Sequence, residues 1–505
     1  MHLHRPYSRP SACATGNQAG RVRARWLLVA AVLTGLLLMG GLLARAGVSP
    51  TTLWLTLNER PTMDMVRYLE RRLEGHPRLE TLASPVLGAV RARIEREPPA
   101  VLFDLGKGQR PLGVTTVAYD AQGKPQAAQA LSQALRPPSP DRLVASQAQL
   151  AEALDLAGPG EVVELAPGSY TITGRLATGR AGTALQPIRV RARQAGTVTL
   201  VVNSVQAVVV SQPYWVFENL DWRGACTHDS NCEHALHVVG RARGTVILNN
   251  RMTDFNAHVK VNGEDGQFPD DGLLQFTTLH NTRPRNTNNP VTPFDLVAAS
   301  GWQLLDNRVE NFSRRDSPAP SYGLFMKGAG SGGRIERNLV VCSPSGISAP
   351  GLRVGLSLGA GGTGQSYCRD GRCDAEHIDG LIANNVVAHC NDAGIDVSKA
   401  VGSRVLHNTL INTRGVLVRN PPATAAAVGN LLDDGLRARQ GTQLEERRNI
   451  VERALQKLLQ DPDALDLRWL QLPAAQDTPA DLPLDFCGKP RPALSPPGAT
   501  LAARC

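Results

Sequence analysis

Six short segments carry side chains that could bind anions and move protons. HVKVNG offers His258, Lys260 and Asn262, FDLVAA offers Asp295, and YGLFMKG offers Lys327. LRVGLSLG adds Arg353 and Ser357, AGIDVSKA adds Asp396 and Ser398, and GVLVRN adds Arg419. Within each segment these residues alternate with apolar ones, so on a strand they share the face away from the core. Acidic and basic groups facing one way over successive segments exceed what a solvated face requires, and such clusters mark sites. Cationic groups there would neutralise substrate carboxylates, and a Lys, His or Asp would exchange protons. Each residue also has a plainer reading. Lys327 is equally a surface lysine beside a glycine turn, and a histidine near a strand is more often structural. His389 and His407 are read as structural for that reason.

Positioning such segments over one another requires a repeating scaffold, and one is written in the chain. From about Val201 to Asn430 a phrase returns: alternating apolar residues, an Asn, then two or three more apolar residues. It reads WVFENLDW at Asn219, TVILNNRM at Asn250, WQLLDNRV at Asn307, GRIERNLV at Asn338 and GLIANNVV at Asn385. SRVLHNTL at Asn408 and AAAVGNLL at Asn430 follow, and LLQFTTLH puts Thr277 in the same place. The last two steps are 23 and 22 residues, and the earlier ones are longer, as though loops interrupt a unit of that size. Strand-like phrases at this period indicate a solenoid. The spaced leucines of leucine-rich repeats are missing. Asn suits turns where the backbone goes left-handed, and stacked Asn side chains can form a hydrogen-bonded ladder. The predicted fold is all-β, a right-handed parallel β-helix.

The chain has 505 residues, a formal net charge of +9, a pI near 9.3 and 4% aromatic residues. A positive excess suggests an anionic partner. The basic residues are spread and no nucleic-acid module is recognisable, so nucleic acid is not expected. Part of the charge lies before residue 45. There Trp26–Ala44 is a nearly unbroken apolar run preceded by Arg21, Arg23 and Arg25. That is the pattern of a signal-anchor crossing a bacterial inner membrane once, with the remainder exported to the periplasm. Ala44-Arg45-Ala46 also suits signal peptidase, which would make the protein secreted. Eight cysteines follow the span, an even set for an oxidising compartment. The pairing expected is Cys226–Cys232, Cys342–Cys390, Cys368–Cys373 and Cys487–Cys505. A zinc site from Cys368, Cys373, His377 and Cys390 is the alternative.

In order, residues 1–25 form a basic cytoplasmic lead and 26–44 the anchor. Residues 45–142 form a helical spacer, with helix expected over Pro61–Glu97, and a linker from Gly106 to about Pro140. The β-helix spans 143–435, opened by a capping helix that Ser146 starts and Gly158 ends. Residues 436–505 hold a charged helix, QLEERRNIVERALQKLLQ, over the last coil and a capping tail.

The opening of the solenoid, with GEVVELAPGSY and GTALQPIRVRA between Leu143 and Val201, resembles that of the chondroitinase B and alginate lyase family. More broadly it resembles the pectate-lyase-like β-helix superfamily, and the likeness covers roughly Leu143 to Asn430 in architecture. DFCGKPRPALSPPGA is similar to the tail of many such β-helices. The resemblance implies a lyase that cleaves an acidic, uronate-containing polysaccharide by β-elimination. Lys327 and Arg353 stand where the family has its catalytic Lys and Arg, so they would act as base and as acid or carboxylate neutraliser. Two features depart from the family. Val354 follows Arg353 where a His is usual, and the acidic calcium motif is missing, so Asp295, Asp270 or Asp271 would have to hold any Ca2+. His258, Lys260, Asn262, Ser357, Asp396 and Arg419 are the expected substrate-binding residues. Three other readings share the scaffold. Hydrolysis would need two carboxylates such as Asp295 and Asp396, or a loop residue such as Asp374 or Glu376. Uronate epimerisation shares the first step of elimination. A monomeric, non-catalytic scaffold that guides a polysaccharide needs only the groove.

Overall fold

The computed structural model describes residues 96–111, 113–128, 139–315, 319–344, 351–500 and 505, the helix Pro77–Ile94 and isolated positions shortly before it. The expected membrane span, Trp26–Ala44, lies outside these residues. Among the described residues no helix is long and apolar enough to cross a membrane. The chain divides into two compact units, 1–94 and 95–505. In the first, the expected spacer helix is present over Pro77–Ile94.

The second unit is a stack of coils. Each coil contributes one strand to each of three long sheets, of twelve, ten and eleven strands. The first runs from Arg142–Val144 to Gln443–Arg447, the second from Leu176–Ala177 to Leu436–Ala438, and the third from Gly168–Ile172 to Ile450–Val451. Every pairing within them is parallel and joins a strand to its counterpart one coil away, for example Val246↔Val216 and Val246↔Leu273. This is a parallel β-helix, and the general handedness of parallel crossovers makes it right-handed. Inward rows are aliphatic or aromatic. Val163, Val190, Phe217, Ile247, Leu274, Leu304, Ile335 and Ile382 stack in one such row, each buried. The N-terminal mouth is closed by the helix Gln147–Leu156, whose Ser146 cap accepts a hydrogen bond from Gln149 N.

The Asn ladder is present, with one shift of register. Asn250, Thr277, Asn307, Asn338, Asn385, Asn408 and Asn430 align, and each side-chain oxygen accepts a backbone N–H from the coil before. Leu220, not Asn219, holds the first ladder place; Asn219 is the left-handed residue before it, at φ 63°. The left-handed place is filled by Asn249, Phe276, Asp306, Arg337, Asn384 and His407 on later coils. The ladder asparagines are therefore selected for hydrogen bonding, not for positive φ. The ladder also runs further than expected. Asn449 Oδ1 accepts from Asn430 N at 3.0 Å, within a coil formed by strands Gln443–Arg447 and Ile450–Val451. The charged helix expected there is absent. Stacking on the coil below supplies the edge hydrogen bonds that decide between strand and helix, and local periodicity does not override it.

All four expected disulfides are formed, Cys226–Cys232, Cys342–Cys390, Cys368–Cys373 and Cys487–Cys505. The zinc alternative loses its thiolates. The expected linker is a strap laid across the coils. Lys107 Nζ donates to Asp306, Arg110 N to Asn249 Oδ1, Thr115 N to Glu218 and Ala128 N to Gln275, each at 2.7 Å. Side-chain acceptors on the sheet edge thus satisfy the backbone of a segment whose composition reads as loop.

Candidate active site in the groove of the ten-stranded sheet

The outward face of the ten-stranded sheet carries one register row through seven coils: His237, Lys260, Asp295, Phe325, Ser357, Asp396 and Leu417. The next outward row includes Asn262, Val297 and Lys327. The alternation that places apolar residues inside brings these groups out on adjacent coils. Strand spacing sets them roughly 4.8 Å apart along the stack.

Three charged groups meet there. Lys260 Nζ lies 2.5 Å from Asp295 Oδ2, and Lys327 Nζ lies 3.3 Å from Asp295 Oδ1. Burial alone would raise the Asp295 carboxyl, but the two ammonium groups outweigh it and hold the pKa well below the ordinary carboxylate range. Lys327 also sits over the Phe325 ring, 4.4 Å from its centroid. One coil before Lys260, His237 Nε2 lies 2.6 Å from Asn262 Oδ1, while Asn262 Nδ2 donates to Gly263 O at 2.9 Å. With the amide so oriented, His237 donates from Nε2 and keeps its lone pair on Nδ1 when neutral. Burial lowers its pKa, Asn262 opposes that, and Lys260 adds to the lowering. His237 was not among the residues expected from sequence, although HALHVVG carries the same alternation.

Loops wall the row on the side where the groove strands end. Arg369, in the insertion after Gly359, pairs with both oxygens of Asp270 at 2.8 and 2.9 Å and lies over the Phe268 ring. Cys368 and Cys373 pack on Ala329.

The remaining expected residues fall elsewhere. His258 is fully buried; its Nε2 is bonded to His280 O at 2.9 Å and its ring lies edge-on to Phe255. Burial lowers its pKa to about 3, so it is a neutral core histidine and not a groove ligand. Arg353 is also buried and pairs in register with Ser321, six residues before Lys327 on the same strand. At roughly 3.3 Å per residue that separates Arg353 from Lys327 by about 20 Å. The expected Lys–Arg pair is not assembled, because sharing an outward face does not fix position along the strand. Asp396 is paired with Arg419 by two hydrogen bonds of 2.8 and 2.9 Å. Burial pushes the Asp396 carboxyl up, and the guanidinium opposes this without fully offsetting it. Ser357 is buried in the row between Phe325 and Asp396, and Ser398 accepts from Asn420 Nδ2 at 2.9 Å.

Calcium does not fit the carboxylates assigned to it. Asp270 faces Arg369, Asp271 faces Arg243 at 3.0 Å, and Asp295 lies between two ammonium groups. A calcium site needs six to eight converging oxygens. Nor is a hydrolase pair assembled. Asp295 and Asp396 stand three coils apart, about 14 Å, and Glu376 is buried, receiving a hydrogen bond from Gly328 N. Asp374 is exposed and faces Arg372.

The sequence matches no family model and no curated protein. Among solved structures the chain is similar to pectate lyase Pel9A, at 12% identity and a TM-score of 0.45, over 73% of this chain and 90% of that one. It is similar to an alginate lyase from a Paenibacillus species at 17% identity and a TM-score of 0.36, over 61% and 98%. It is also similar to a lacto-N-biosidase from Eubacterium ramulus at 11% identity and a TM-score of 0.41, over 61% and 64%. The β-helix assignment stands on the sheet registers of this chain.

Proposed function

We propose that the groove binds an acidic, uronate-containing polysaccharide and cleaves it by β-elimination at Lys260, Asp295 and Lys327. The observation that carries this reading is one carboxylate shared by two ammonium groups over three consecutive coils. Such a site offers cations to a uronate and an amine to its C5 proton, while Asp295 and Asp396 stand too far apart for the pair that hydrolysis requires.

In this reading the uronate carboxylate replaces Asp295 as the partner of Lys260, which stabilises the charge that develops when C5 loses its proton. Lys327 gives its own proton to solvent, and the resulting amine takes the C5 proton. The electron pair forms the C4–C5 double bond, the C4–O4 bond breaks, and water protonates the departing oxygen. Asp295 then orients Lys327. His237 and Asn262 bind the neighbouring sugar, and Asp396 with Arg419 supports the floor further along.

The same proposal places the protein at the inner membrane through Trp26–Ala44, with the β-helix in the periplasm. The arginines before the span and the four disulfides support that compartment.

The test is incubation of the full-length protein with alginate, pectate, glycosaminoglycans and bacterial exopolysaccharides, following the ultraviolet absorbance of unsaturated uronate and, separately, new reducing ends. Absorbance rising with the reducing ends supports elimination. Reducing ends without absorbance would replace it with hydrolysis, and neither, with binding retained, would leave a polysaccharide-guiding scaffold.

A further inference from the structure

The groove is interrupted part-way along the coils. On the coils of His237 and Lys260 the outward residues are partly exposed, and Lys260 keeps 20% of its side-chain surface. Two coils further the same row is closed: Phe325 is 1% exposed, Ser357 0% and Asp396 1%. These residues face outward by register, so their burial needs a cover.

The insertion that follows Gly359 supplies it at the Phe325 coil. Gly361 lies directly on the Phe325 ring, so that a Cβ there would fall 2.3 Å from a ring carbon. Its carbonyl oxygen is 3.5 Å from Lys327 Nζ. On the other side Tyr322 stacks on Phe325 with ring centroids 4.2 Å apart. The cover is fixed. Ala360 N donates to Ser398 O at 2.6 Å, Arg369 N donates to Gly328 O at 2.9 Å, and Arg369 clamps Asp270. The Cys368–Cys373 disulfide closes the turn that carries Arg369. Lys327 and Asp295 therefore stand where the open floor stops. The open stretch, from the strand Gln206–Val210 to the strand Val259–Asn262, spans two strand spacings or about 10 Å.

We infer that the protein acts on polysaccharide chain ends. A polymer lying along the coils would have to pass through Gly361 and Phe325 to continue beyond the lysines. A chain end can enter over His237 and Lys260 and stop against the insertion, so that each turnover releases a short fragment. This inference rests on the elimination reading above.

The experiment follows polymer size and product size together, with the full-length protein and a uronate polymer that yields unsaturated product. Short unsaturated products from the earliest times, with the average polymer size nearly unchanged at a tenth conversion, are expected. A several-fold collapse of polymer size at that conversion, with unsaturated product still forming, would overturn the chain-end inference and leave elimination standing. Absence of unsaturated product on every polymer would overturn both. Arg369→Ala, which releases the clamp on Asp270, should shift the products towards longer fragments. An unchanged product distribution in that variant would also count against the inference.

Discussion

Asp295 holds two ammonium groups at once, so removing its charge leaves Lys260 and Lys327 without their shared counter-charge. Asp295→Asn should cost about 2 kcal/mol at neutral pH, a buried-pair penalty reduced because Lys260 is partly solvated. The sign of its pH dependence follows from the depressed carboxyl pKa. The stabilisation is fully present above the unfolded value near 4 and is lost as pH falls through the lower folded value. Urea denaturation should show a gap between wild type and variant that is constant above about pH 5 and shrinks in acid. A gap that grew in acid would contradict the pairing. At this scale the sequence was informative for Lys260, Asp295 and Lys327, because alternation within a strand is local. It misplaced Arg353 and His258. Their outward or edge positions are covered by residues far away in sequence, and only the fold tells which faces are covered.

The ladder is the device that makes one coil depend on the next. Asn338 Oδ1 accepts from both Asn307 N and Asn307 Nδ2, and its own Nδ2 donates to Leu304 O and Asn385 Oδ1. All of these atoms are buried, so Asn338→Ala leaves several polar groups unsatisfied and should cost about 3 kcal/mol. Denaturation of that variant against Asn449→Ala, at the half-buried last rung, checks this, because the exposed end can re-form bonds with water. Equal losses would show that burial does not set the cost. The ladder was legible from its spacing, including the Thr277 substitute. Its last rung was masked by QLEERRNIVERALQKLLQ, whose apolar spacing also suits a helix. The signal was present in RRNIV, an Asn followed by two apolar residues as at Asn338, Asn385 and Asn430.

Across the whole molecule the burial of histidines sets an acid limit. Burial lowers His258 to about 3 and His377 to about 4, the latter accepting a hydrogen bond from Gly333 N. Both fold as neutral rings, so stability is full above the unfolded value near 6.5 and falls as acid protonates the unfolded chain. Between pH 6.5 and 5 each should remove about 2 kcal/mol, and a melting temperature that held constant over that interval would contradict their burial. The strap adds a second whole-molecule constraint. Lys107 pairs with Asp306, which also pairs with Arg337, although the three are far apart in sequence. Composition gave no hint of this, because the strap's partners are strand-end and turn residues that the stacking of coils brings to one edge. The even set of eight exported cysteines was legible, whereas their pairing, though it came out as expected, is fixed only by the fold.

The most direct measurement compares the rate of unsaturated-product formation by wild type and by Lys327→Ala on the same uronate polymer, with binding measured in parallel. The account predicts a loss of roughly a hundredfold or more in rate, with binding reduced much less, since a positioned base contributes about 10²–10⁴. A variant that eliminates at the wild-type rate would contradict it.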